Sequence, residues 1–196
     1  MNLAKRLLFS FTTITIVAFM GLSLSSKIIQ KSLPVLGSVP SFILYDTNAK
    51  EFSSNELKGK VFVTDFIFTT CAGICPMMSQ NMSAVYRSFI SELDVHFVSI
   101  SVNPEYDSPD ILAAYAKRYH ADIKKWHFLT GSREAITRLT TEGFKLGSVD
   151  EPAMHSGYFV LADRQSRIRG FYDGTKPEEI RKLLSDVARL LRERSL

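Results

Sequence analysis

Two cysteines stand three residues apart in Phe68-Thr69-Thr70-Cys71-Ala72-Gly73-Ile74-Cys75-Pro76, and the chain of 196 residues has no others. Their setting constrains the fold more than anything else in the sequence. Upstream, Val61 to Phe68 is mostly apolar, β-branched and aromatic, which predicts a buried strand. Downstream, Pro76 suits the first turn of a helix, where its missing N–H is not needed. Met78, Met82, Val85 and Phe89 then follow at helical spacing, an inward stripe of core residues. Both thiols are therefore expected where a strand turns into a helix. Unpaired N–H groups and the helix dipole at such a junction favour negative charge, hence thiolate. A thiolate is both the nucleophile of disulfide exchange and a soft metal ligand, so function narrows to those two chemistries.

The N-terminus is set apart. Lys5 and Arg6 precede twenty uncharged residues, Leu7 to Ser26, and Lys27 closes the run. As a helix this run spans about 30 Å, one hydrocarbon thickness. Residues 1–6 are expected as a cytoplasmic basic flank and 7–26 as a transmembrane anchor, or an uncleaved signal, because Ser23-Leu24-Ser25 is a poor cleavage site. Residues 27–40, with Pro34, Gly37 and Pro40, read as a linker, and 41–196 as one folded domain on the non-cytoplasmic (periplasmic or equivalent) side. In that oxidising compartment a close cysteine pair can form a disulfide. Lys5 and Arg6 take two of the 24 basic residues, so the rest of the chain has 22 against 20 acidic ones, near +2. Such a mixed surface carries no nucleic-acid footprint.

Further along, Phe42–Tyr45 and Glu51–Ser53 flank Asp46–Ala49 as a hairpin. Val95–Ser101 reads as a strand, followed by a helix from Ser108-Pro109 with Ile111, Leu112, Tyr115 and Tyr119 inward. A short strand at His127–Leu129 leads to a helix capped by Ser132 and reaching about Thr141. Gly157–Ala162 and Arg167–Tyr172 form a second hairpin. The last helix is expected to start with a capping box of Thr175 and Glu178, and carries an apolar stripe from Ile180 to Leu191. This β-α-β-α-β-α-β-β-α order, with a reactive pair at the carboxyl end of a central strand, resembles the thioredoxin fold: an α/β central mixed sheet flanked by helices, here behind one N-terminal transmembrane helix.

Of four histidines, His96 and His127 lie in apolar strands and read as core residues, while His120 reads as a helix C-terminal cap. His155 differs, standing in the irregular stretch before the strand from Gly157. In a thioredoxin-like fold the loop into that strand faces the cysteine loop. The segment Thr70–Pro76, the stretch Ser101-Val102-Asn103-Pro104-Glu105-Tyr106-Asp107-Ser108-Pro109 and the stretch His155-Ser156-Gly157 through Asp163 together resemble the Sco/SenC family. These are membrane-anchored, thioredoxin-like copper proteins that help assemble the copper site of cytochrome oxidase. The resemblance runs from about Val39 to Tyr172 and implies Cys71, Cys75 and His155 as copper ligands.

Two thiolates and an imidazole form a soft, three-coordinate set that suits Cu(I), with Cu(II) also possible, whereas zinc would want a fourth ligand. Met78 and Met82 read as core, with Met77 and Met154 as accessories at most. The family's DPxxD stretch has Asn103 here in place of its first Asp and retains Asp107; both also suit a turn before the helix. Asp65, six residues before Cys71, sits as thioredoxin's buried acid does and could relay a proton to a thiol, or simply be a hydrogen-bonded core carboxylate. The resemblance implies a copper metallochaperone acting on the copper-site subunit of cytochrome c oxidase and other copper or thiol-redox proteins. The alternative is a thiol–disulfide oxidoreductase that keeps partner cysteines reduced. Peroxiredoxin-like thiol peroxidases carry a Thr three residues before the reactive Cys; Phe68 and Ala72 hold those positions here and argue against that activity.

Overall fold

The computed structural model of the chain describes residues 32–146 and 157–193. A six-stranded sheet lies at the centre, built from β1 (Gly37–Ser38), β4 (Val61–Ile67), β5 (Val95–Ser101), β6 (Trp126–Leu129), β7 (Tyr158–Ala162) and β8 (Arg167–Asp173). The order across it is β1-β8-β7-β4-β5-β6, and β2 (Ile43–Tyr45) with β3 (Glu51–Ser53) forms a separate hairpin. Strands β4, β5 and β6 are parallel, while β7 runs antiparallel to both β4 and β8. The helices are α1 (Cys75–Ser88), α2 (Pro109–Arg118), α3 (Arg133–Arg138) and α4 (Pro177–Arg192). From β4 to α4 the element order is the one the sequence predicts.

Every residue of β4 and β5 is buried, because both faces of the sheet are covered. On one face Val61, Val63, Ile67, Phe97 and Trp126 pack against α1 through Met78 and Met82, α2 through Leu112 and Tyr115, and α4 through Leu183 and Val187. On the other, Phe62, Phe66, Val98 and Ile100 meet Leu44 and Phe52 of the hairpin and Ile136 of α3. Each such fully buried side chain contributes about 1.5–3 kcal/mol. Period-two alternation puts Asp65 and its register partner Ser99 on the first face, among the helices. That is the face on which α1 begins with Cys75.

Four expectations need correction. No capping box opens α4: the Thr175 N–H and hydroxyl both donate to Asp173 Oδ1, at 3.0 and 2.6 Å, and Lys176 takes the N-cap without a side-chain bond. Asp173 competes for the hydroxyl two residues too early for it to cap. A capping box forms instead at Ser53 and Glu56, ahead of the short 3₁₀ turn Ser54–Leu57. Ile111 is only half-buried, and the inner face of α2 is made by Leu112, Tyr115 and Ala116. Helix α3 stops at Arg138 and widens into a π-turn over Leu139–Gly143, where the Thr140 and Thr141 hydroxyls donate to the carbonyls of Ile136 and Thr137 at 2.8 and 2.9 Å.

The fourth correction concerns the linker. Gly37 and Ser38, placed in it by their neighbouring prolines, pair antiparallel with Ile168 and Arg167. A buried arginine holds this segment down. Arg169 donates to the carbonyls of Leu33 and Pro34 at 2.6 and 3.1 Å, to Asp163 Oδ2 at 2.7 Å and to Glu193 Oε2 at 3.2 Å. Its guanidinium, with five N–H donors in a fixed fork, suits such a four-way junction. Among the described residues no helix is long and apolar enough to cross a membrane; the expected span at 7–26 lies outside them.

Candidate metal centre

Strand β4 delivers the chain to Phe68, and seven residues later α1 starts at Cys75 with Pro76 in its first turn. The N-cap of α1 is Ile74, whose side chain cannot accept a hydrogen bond, so the orphan N–H groups of the first turn need another acceptor. Cys71 supplies it. The Gly73 N–H donates to Cys71 Sγ at 3.3 Å, and the N–H groups of Ile74 and Cys75 aim at the same sulfur.

The two thiols differ sharply. Cys71 is half-buried and Cys75 fully buried. Partial burial opposes ionisation of Cys71, but the N–H and S–H of Cys75 and the N–H groups of Gly73 and Ile74 outweigh it, holding the thiol below its ordinary value. Burial pushes Cys75 up to about 12, against a hydrogen bond from Phe68, and the Cys71 and Asp65 charges add to the rise. The arrangement favours ionisation at Cys71, whose sulfur accepts hydrogen bonds from Gly73 and from the protonated Cys75 thiol. Chemically, that is a half-buried nucleophile with a fully buried partner, or two soft donors side by side.

Asp65 lies beneath, fully buried, where desolvation pushes its carboxyl up to about 7 despite a 2.6 Å hydrogen bond from Ser99 to Oδ1. Among the described residues its Oδ2 has no hydrogen-bond partner. The Trp126 indole N–H donates to Ser99 Oγ at 2.9 Å, fixing the hydroxyl that holds Asp65. Met78 and Met82 are fully buried in the core, while Met77 is exposed on the outer side of α1.

His155 and Met154 fall outside the described residues. The next described residue, Gly157, passes close to the cysteine loop: a Cβ there would lie 3.3 Å from Ile74 Cδ1. Among the described residues no three metal-ligating side chains cluster. His96 and His127 bond to each other at 3.0 Å, and exposed His120 sits at the end of α2 with a φ of 56°, its N–H donating to the Lys117 carbonyl. Asn103 shapes its turn through the backbone, its carbonyl accepting from Tyr106 and Asp107. The sequence reading missed Thr69 and Ser101, which face Asp107 from two strand ends. The available signal was a hydroxyl at or just past each strand's end, Ser101 closing β5 and Thr69 two residues beyond β4.

Fold and site together define a thioredoxin-like protein with one reactive thiol pair at a strand–helix junction. The SCO1/SenC family model matches residues 35–192. The chain belongs to the SCO1/SenC family. It is 31% identical over 160 residues to the SCO1 protein homolog of Bacillus subtilis, covering 79% of this chain and 83% of that one. A SCO1/SenC family lipoprotein from Bacillus anthracis superposes with a TM-score of 0.74 at 33% identity, over 83% of this chain and 99% of that one. BsSco, a member of the Sco family of cytochrome c oxidase assembly proteins in which a disulfide switch was identified, gives 0.73 at 30% identity, over 84% and 100%. Arabidopsis thaliana ScoI, solved with copper bound, gives 0.64 at 26% identity, over 79% and 98%.

Proposed function

We propose that this chain is a copper-carrying assembly factor: Cys71, Cys75 and His155 hold one copper ion and pass it to the copper-site subunit of cytochrome c oxidase. The observation that carries the reading is the unequal thiol pair, Cys71 with its ionisation favoured by the N–H groups ahead of the helix and Cys75 buried beside it. The close approach of Gly157 to Ile74 supports a third ligand from the segment just upstream. Copper bound in a Sco protein and the assembly role of BsSco point the same way. The donor set of two sulfurs and one imidazole suits Cu(I). Residues 7–26 anchor the chain, with the folded domain on the non-cytoplasmic side.

Anaerobic titration of the reduced protein with Cu(I) tests this. One equivalent binds the wild type; Cys71→Ser or Cys75→Ser abolishes tight binding, and His155→Ala weakens it with the fold intact. Stoichiometric binding by Cys71→Ser would sink the assignment. For the anchor, alkaline extraction without detergent should leave the full-length chain in the membrane fraction, and release into the supernatant argues against the span.

The unequal thiols also favour a second reading, thiol–disulfide exchange. Cys71 thiolate attacks a partner's disulfide, forming a mixed disulfide and releasing one partner thiolate. Cys75 then gives up its proton and attacks Cys71 sulfur, releasing the second partner thiolate and leaving a Cys71–Cys75 disulfide. The free Oδ2 of Asp65 is the proton acceptor in this scheme. The rate of the second step should rise through about pH 7 as Asp65 ionises. That inflection disappears in Asp65→Asn if the scheme holds, and persists unchanged if Asp65 is only structural.

A further inference from the structure

Asp107 is fully buried, and among the described residues no lysine, arginine or histidine pairs with it. Three donors satisfy it instead. The Thr69 N–H reaches Oδ2 at 3.1 Å, the Thr69 hydroxyl reaches Oδ1, and the Ser101 hydroxyl reaches Oδ2 at 2.6 Å. Thr69 is 38 residues away in sequence, two positions before Cys71. An aspartate that merely shapes a turn binds its own turn's amides. Asp46 does so, accepting from the N–H groups of Asn48 and Lys50 at 2.7 and 2.9 Å, and Asp163 does the same with Gln165 and Arg167, both at 3.0 Å. Asp107 leaves that task to its backbone, whose N–H donates to the Asn103 carbonyl at 2.9 Å. Its carboxylate crosses to the cysteine loop.

The crossing has a mechanical consequence. Beyond Ile67 the chain leaves the sheet, and individual hydrogen bonds, that of Phe68 to Cys75 among them, hold the stretch that leads to α1. The Val102 N–H donates to the Ile67 carbonyl at 2.8 Å and the Cys71 N–H to the Phe68 carbonyl at 3.2 Å; among the described residues, the side chain that bonds Thr69, between them, is that of Asp107. We propose that Asp107 is a positioning residue for the cysteine pair: through Thr69 it fixes the loop geometry in which Cys71 and Cys75 close into a disulfide or onto a metal. This rests on reading the pair as the functional centre. Fixing the loop raises the effective concentration of one sulfur at the other, so both closures are favoured.

The test is the equilibrium between the two thiols and glutathione, measured on the full-length chain without copper. Two thiols lose two electrons and two protons to one oxidised glutathione, giving the Cys71–Cys75 disulfide and two reduced glutathione molecules. In Asp107→Asn and Thr69→Val the formation constant should fall about threefold or more, as for loss of one buried hydrogen bond. Thr69→Ser, which keeps both donors, should restore the wild-type constant. Trp126 fluorescence reports folding, and if Asp107→Asn does not fold, Thr69→Val carries the test with only one hydroxyl lost. Unchanged constants in the folded variants overturn the proposal, as does a Thr69→Ser constant as low as that of Thr69→Val, or a wild-type pair that forms no disulfide at any glutathione ratio. A wild type that cycles with glutathione but binds no copper defeats the copper reading and leaves this result standing.

Discussion

Asp65 is where one side chain can be read through the stability of the whole domain. Burial lifts its carboxyl from an ordinary 3.8 to about 7, so between these values the folded chain holds a proton that the unfolded chain has lost. Its contribution is therefore fully present below about pH 4 and fades as pH rises through 7. Asp65→Asn removes the ionisation, so its urea midpoint should exceed that of the wild type at pH 8, with the gap closing toward pH 4. A gap that does not change with pH would mean that the carboxyl ionises as an exposed one does. The sequence placed Asp65 in a strand, but a fully buried run such as Val61–Ile67 does not say which face each residue takes. Its neighbours Ser99 and Trp126 come from other strands, and no local pattern reveals them.

Strands β5 and β6 carry an opposing effect. His96 Nδ1 and His127 Nε2 are 3.0 Å apart, the rings lie within 2° of parallel with centroids 5.3 Å apart, and Phe52 of β3 packs on His127 at 4.7 Å. One hydrogen-bonded pair thus ties the edge strand to its neighbour and to the hairpin. Burial pushes both imidazoles down to about 4; the Lys60 and Lys125 charges act the same way on His96, and the His96 and Lys60 charges on His127, against smaller opposition from Asp94, Asp46 and Asp122. Folded values below the ordinary 6.5 mean stability that is present above that pH and lost as pH falls toward 4. In an Asp65→Asn background, which removes the contrary carboxyl, the urea midpoint should drop across that window, and replacing both histidines by Phe should flatten the drop. At this scale the sequence was legible wherever periodicity spoke. The Met78–Met82–Val85 stripe, the all-buried Val95–Ser101 and the apolar face of α4 stand as expected. It failed where short polar side chains chose among nearby partners, as at Thr175, Thr140 and Thr141, because several local hydrogen bonds of similar strength compete there.

Across the whole molecule, the cysteines were legible because strand, loop and proline are contiguous, whereas the Thr69–Asp107 link spans the β4–α1–β5 crossover and could only be seen folded. The Arg169 junction was equally hidden, joining Leu33 and Pro34 to Glu193 through a residue of β8. It brings Leu33 and Glu193 within reach of one side chain, since the same guanidinium grips a carbonyl of the first and a carboxylate of the second. A short glycine–serine bridge across that gap, with the backbone reopened at the exposed tip of the β2–β3 turn, should give a circularly permuted protein that keeps the fold and the thiol pair. The natural order of the elements would then be one of several that this sheet accepts.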